Sequence, residues 1–337
     1  MRIVFAVIAL VLILVPTWSG DPRLPLYEGT PDVRVARVAL DAEHPKRTRV
    51  GPLTYLGGLH FSSRDPAFGG FSALAVRGDR FLLLSDGGLR FGFTMGSDLR
   101  PGHFAFGTLP AGPGDGWRKE DRDSESLAVD PATGDHWVGF ERANAIWRYD
   151  ADFTRTIRTR VPPEMARWPR NGGAESLVRV PGGRFLILSE DADAPGGGKQ
   201  ALLFDRDPTD PRARAMRFAF VPPGEYVPTD AAILPDGRLL VLTRNLTLRE
   251  GFTAKLLLVD PRAIRPGARV AGRELATFAY PLLHDNFEGL AVTREGDATI
   301  LWMLSDDNAP SWFQRSLLLK FRIDLSPDAA HDKSRPG

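Results

Sequence analysis

The 337-residue chain contains no cysteine. That excludes disulfides, thiolate zinc sites, iron–sulfur clusters and a cysteine nucleophile. Lysine is also scarce, with six against 37 arginines. Net charge is nearly lacking, at +1, so no whole-protein field favours nucleic acid. Helical periodicity is almost absent; residues 212–218, for one, show no apolar 3.6-residue repeat. No Pro/Ser-rich linker divides residues 33–325, which read as one domain. Turn formers, by contrast, are abundant. The 34 glycines and 28 prolines exceed average usage of about 12% but stay below the roughly 25–30% of disordered chains. A turn-dense, all-β chain fits that range.

The N-terminus reads as an address. Arg2 precedes an unbroken apolar run over residues 3–15. Such a run is too short for a spanning helix of about 20 residues and matches a signal-peptide h-region. Pro16 ends it, and Thr17 and Ser19 supply small residues for cleavage after Ser19. The expected division is a signal peptide at 1–19, a linker at 20–32, a folded domain at 33–325 and a polar tail at 326–337. Localisation would be periplasmic or extracellular, or at the membrane if the leader stays as an uncleaved anchor. An exported chain without cysteine must take its stability from a large core.

The body of the chain repeats. Five segments share one design: 71–86, 124–141, 174–190, 229–245 and 287–307. Each opens with a polar residue and a small one, then an apolar strand. A turn follows: Gly78-Asp79, Gly134-Asp135, Gly182-Gly183, Asp236-Gly237 or Gly296-Asp297. These supply the positive φ of tight hairpins. A second apolar strand ends each unit. The markers Ser72, Glu125, Glu175, Asp230 and Glu288 recur at spacings of 53, 50, 55 and 58. Strand–turn–strand units at that period predict a β-propeller of five four-stranded blades. Further strands are expected at 145–149 and 155–161, at 201–204 and 215–221, at 255–259 and 275–280, and at 317–323. The last unit lacks an outer strand, so segment 33–40 or 55–61 would close the ring by pairing the two termini. A sixth, irregular blade from 33–61 and part of 88–120 is the alternative.

In such a blade the first strand lines the channel, and the second runs antiparallel beside it. The start of one and the end of the other therefore share a face. Both ends carry acids here: Glu125, Glu175, Asp230 and Glu288 at starts, Asp86, Glu141, Glu190, Asp306 and Asp307 at ends. Carboxylates gathered at one mouth cannot all ionise without compensation. A hard cation such as Ca2+ resolves that with oxygen ligands. The expected ligands are Asp86, Glu125, Glu175, Glu190, Asp230, Glu288 and Asp306, with Glu125, Glu175 and Glu288 as catalytic candidates. Two other uses stay open: capping of each blade's own backbone, and metal-free proton transfer. Arg64, Arg90, Arg142 and Arg244, with Lys199 on the 191–199 loop, are the candidates for holding an anionic substrate. Arg244 stands where other units carry an acid. A serine nucleophile is discounted, because Gly70-Phe71-Ser72-Ala73-Leu74 lacks the second glycine of a nucleophile elbow.

The segments 56–76, 82–88, 123–141, 172–190 and 287–308 together resemble the bacterial phytase-like family, named for an esterase-like activity of phytase. The resemblance implies a β-propeller, export, and Ca2+-dependent hydrolysis of a phosphate or carboxylic ester. The family's acid-bearing motifs fall on Asp86, Glu125, Glu175, Glu190, Glu288 and Asp306. The fourth unit departs, with Thr229-Asp230-Ala231 and Arg244-Asn245. The expected partner is a small-molecule ester or phosphate, with no nucleic acid, and the protein is expected to be a monomer. A non-catalytic propeller binding a ligand or partner at the same face, or a lactonase-type propeller, remains the alternative.

Overall fold

The computed structural model describes residues 32–307 and 314–325. The leader at 1–19, all of the linker but Asp32, and the tail lie outside the described residues. Five sheets, antiparallel but for one edge strand, form a ring. Blade one is Phe71–Arg77, Arg80–Ser85, Leu89–Met95 and Pro101–Thr108, from channel to rim. Blade two is Ser124–Val129, His136–Phe140, Ala145–Tyr149 and Thr156–Arg160. Blade three is Ala174–Val180, Arg184–Asp193, Lys199–Phe204 and Ala215–Val221, with Arg269–Ala271 added in parallel at its edge. Blade four is Val227–Ile233, Leu239–Thr247, Gly251–Val259 and Arg273–Phe278. Among the described residues no helix is long and apolar enough to cross a membrane.

Blade five closes the ring. Phe287–Glu295, Ala298–Ser305 and Ser316–Ile323 come from the C-terminal end. Leu53–Ser63 pairs antiparallel with Ser316–Ile323, and Val33–Val38 pairs with Leu53–Ser63 in turn. Both N-terminal segments are therefore used, not one of the two. No sixth blade forms, because Leu89–Met95 and Pro101–Thr108 complete blade one.

Why the blades associate follows from their apolar faces. Each of the five buried clusters lies between two neighbouring blades. Propeller sheets are hydrophobic on both sides and must bury both. The seam between blades five and one is rich in phenylalanine. Phe61, fully buried, sits 5.8 Å edge-on from Phe91 and 5.3 Å from Phe93. Phe61→Ala is expected to cost about 3–5 kcal/mol, read as a lower urea midpoint. An unchanged midpoint would mean the closing strand contributes little.

One irregularity recurs in every blade. The first hairpin shifts register between Phe71 and Ala73, Ser124 and Ser126, Ala174 and Ser176, Pro228 and Asp230, and Phe287 and Gly289. The residues left out of the ladder are Ser72, Glu125, Glu175, Thr229 and Glu288. A β-bulge bends the strand and re-aims one side chain. Here it does so five times, at the same end of the channel.

Candidate functional site

The bulges and the adjoining strand ends build one acidic mouth. Past the bulge, the second strand delivers Asp86, Glu141, Glu190, Arg244 and Asp306, one per blade. The backbone N–H of Asp86, Glu141, Glu190 and Asp306 donates to Gly70, Asp123, Gly173 and Asn286 respectively, which fixes these ends against the incoming chain. The mouth is a cavity of about 240 Å3. Nine carboxylates line it: Asp86, Glu120, Asp123, Glu125, Glu141, Glu175, Glu190, Glu288 and Asp306. Only Lys119, Arg142 and Arg244 oppose them among the described lining residues.

Those three cations are already engaged. Arg244 bonds Glu190 Oε1 at 2.8 Å and Glu288 Oε1 at 2.5 Å, spanning blades three and five. Asn286 steadies the same corner: its Nδ2 donates to Glu288 Oε1 at 2.9 Å, and its Oδ1 accepts from Arg244 at 2.5 Å. Lys119 pairs with Asp86, and Arg142 with Asp123 at 3.1 Å. Burial works against both the Arg244 and the Lys119 charge, but Glu288 and Glu190 around the first and Asp86 beside the second outweigh it.

The remaining acids are poorly compensated. Among the described residues no donor hydrogen-bonds to the Glu125 or Glu175 carboxylate. Burial, then neighbouring carboxylates, push both well above the usual carboxylate range. Glu141 rises to about 7, chiefly by burial, although Gly172 and Gly173 N–H groups donate to it. Burial also raises Asp86, Asp123 and Glu288. Oxygens of Asp123, Glu125 and Glu141 all lie within 4.8 Å of one another, as do those of Glu141, Glu175 and Glu190. Two three-carboxylate sets sharing Glu141, short of positive charge, fit a hard divalent cation.

Residues 66–309 match the family of phytase-like proteins, described by an esterase-like activity of phytase. The chain belongs to the phytase-like family. No curated protein matches it in sequence. Among solved structures, the phytase-like chain is similar to hydrazine synthase of Kuenenia stuttgartiensis at 12% identity and a TM-score of 0.36. That alignment covers 71% of this chain and spans 57% of the other. It is also similar to the Pan2 WD40 domain of Neurospora crassa, at 10% identity, 83% and 97% coverage and a TM-score of 0.41. The allergen Mala s 1 of Malassezia sympodialis gives 13% identity, 82% and 90% coverage and a TM-score of 0.44.

Of the residues expected from sequence, this phytase-like mouth unites Asp86, Glu125, Glu141, Glu175, Glu190, Glu288, Asp306, Arg142 and Arg244. Asp230 is a correction. The bulge of blade four falls on Thr229, so Asp230 sits one residue inside and faces the neighbouring blade. Its carboxylate accepts from Ala231 N and Leu290 N, each at 2.7 Å. Among the predicted anion holders, Arg64 is exposed on the loop entering blade one. Arg90 lies between blades one and two. Lys199 is bound to Asp191 and Asp193 of its own hairpin, at 3.3 and 3.2 Å. None of these three is among the mouth-lining residues. Sequence reasoning missed Lys119, Glu120, Asp123 and Asn171. The signal existed for three of them, since the loop feeding Ser124–Val129 must arrive from the mouth side.

Proposed function

We propose that the protein is an exported, Ca2+-assisted hydrolase of a phosphomonoester or related ester, acting at the acidic mouth. The observation that carries this is the pair of donor-free carboxylates Glu125, half-buried, and Glu175, buried, flanked by Asp123, Glu141 and Glu190. A ring so short of cations has a use when charge is brought to it. Bound calcium would neutralise a substrate anion, polarise its ester bond and lower the pKa of a water molecule. The ligands would be Asp123, Glu125, Glu141, Glu175 and Glu190. Glu288, outside that ligand set and raised by burial, would take a proton from attacking water and return it to a leaving group. Arg244 and Asn286 hold Glu288 and Glu190 in place and keep that half of the mouth from collapsing through repulsion. Export rests on the leader read at residues 1–19.

A second reading is favoured by the engagement of Lys119, Arg142 and Arg244: a non-catalytic propeller that binds a ligand through calcium. The test is turnover of p-nitrophenyl phosphate and p-nitrophenyl acetate with calcium or with chelator. Turnover is expected with calcium, falling at least about a hundredfold in chelator or in Glu175→Gln. Calcium binding by calorimetry without turnover of either ester selects the second reading. Absence of both binding and turnover defeats the two together.

A further inference from the structure

A second charged site lies away from the mouth, in the gap between blades one and two. A cavity of about 600 Å3 opens there, lined by the first hairpin of blade one and by residues following the first strand of blade two. Arg77, Arg80 and Arg90 all line it, and none forms an ion pair among the described residues. Arg77 and Arg80 are exposed, flanking the hairpin turn. Arg90 is half-buried, and its guanidinium lies 4.5 Å over the Phe153 ring. Its Nε donates to Thr108 O at 3.0 Å. Burial lowers the Arg90 pKa, with no carboxylate to offset it. Asp79 and Asp152 stand in the same lining without reaching ion-pair distance of the arginines, so the groove keeps a net positive charge.

The wall behind these arginines is also unsatisfied. His136 is 8% exposed, and its Nδ1 has no hydrogen-bond partner. The ring packs 4.2 Å from Phe153. Burial, with Arg77 and Arg90 nearby, holds its pKa at about 4, so it is neutral at pH 7. Phe153, which both groups contact, is itself held in the left-handed region at φ 53°. Such a conformation is strained for a non-glycine residue and marks a constrained position.

We propose that this interblade groove binds a phosphoryl group. A guanidinium matches phosphate oxygens with paired N–H donors, and Arg77 and Arg90 both act on His136 across this groove. Phosphate charge placed between Arg77 and Arg90 would offset their effect on the buried His136 ring, which therefore reports occupancy. The site lies beside the hairpin turn of blade one, at the end of the inner strands opposite the mouth. It does not depend on calcium or on the function proposed above.

The experiment is a titration of the whole protein with inorganic phosphate, in chelator, by calorimetry and by the His136 ring signals in NMR. Saturable binding with a shifted His136 signal is expected in the parent and in Glu175→Gln, a mouth variant. Arg77→Gln and Arg90→Gln should each weaken binding at least about tenfold, the loss of one charge-assisted contact. Arg77 is exposed, so its variant retains the fold, and circular dichroism confirms this for both. No saturable binding, or binding that survives both arginine variants, overturns the proposal.

Discussion

Calcium affinity is expected to fall by at least about tenfold from pH 8 to pH 6, and the stability of the metal-free protein to move the opposite way. Ligating carboxylates must be deprotonated, so protons and calcium compete for the mouth. Burial holds Glu125 and Glu175 well above their usual range and Glu141 at about 7. Each proton displaced costs a factor of about ten per pH unit below its pKa. For stability the sign follows from linkage. Glu141 titrates near 4.5 when unfolded and near 7 when folded, so the native state binds more protons between those values. Its contribution is complete below about pH 4.5 and is lost as pH rises through 7, an effect on the order of 3 kcal/mol. The metal-free protein should therefore melt higher at pH 5 than at pH 8, the reverse of ordinary acid denaturation. Calcium should restore the loss at pH 8 and do little at pH 5. Thermal melts at both pH values, with and without chelator, measure all four corners. A metal-free melting temperature that rises from pH 5 to pH 8 would refute the assignment.

Arg244→Gln is expected to cost about 3–5 kcal/mol at pH 8 in chelator, because removing one member of a buried ion pair leaves the other uncompensated. Two carboxylates lose their counter-charge here, Glu190 and Glu288, whose side chains are 14% and 10% exposed. Urea denaturation reads the loss. It should shrink as pH falls, because burial already raises Glu288 and protonation relieves a carboxylate left without its arginine, and shrink again on adding calcium, which supplies the missing charge. Arg244→Lys should fall between the two, since a single ammonium cannot fork to two acceptors as guanidinium does. Equal stability of all three proteins would show that the corner is held by something else.

Much of this was legible in the chain itself. The five hairpins carry their own turn residues, and Gly78, Gly134, Gly182, Gly237 and Gly296 all adopt positive φ. Those local signals set the blade count, and the unpaired end of the last unit announced closure by the N-terminus. The mouth was partly legible, because strand direction alone brings strand starts and second-strand ends together. Asp230 misled because an extended strand turns successive side chains to opposite faces. Only the bulge decides which of Thr229 and Asp230 faces the channel, and a bulge leaves no composition mark. Lys119 was hidden differently. It reaches Asp86 from a short 3-10 turn at Lys119–Asp121 in the loop before blade two, and loop conformation is not written in hydrophobic periodicity.

The ring of bulges has a consequence for how such a mouth can change. A residue dropped from the ladder leaves no cross-strand register to lose when it is replaced, so its identity is free of the sheet's demands. Ser72 and Thr229 use that freedom as fasteners, their hydroxyls donating to Ser124 O at 2.6 Å and Phe287 O at 3.0 Å on adjoining blades. Glu125, Glu175 and Glu288 use it to carry charge. The five positions thus act as interchangeable sockets on a fixed frame, where one substitution trades a mechanical tie for a ligand without rebuilding the wall behind it.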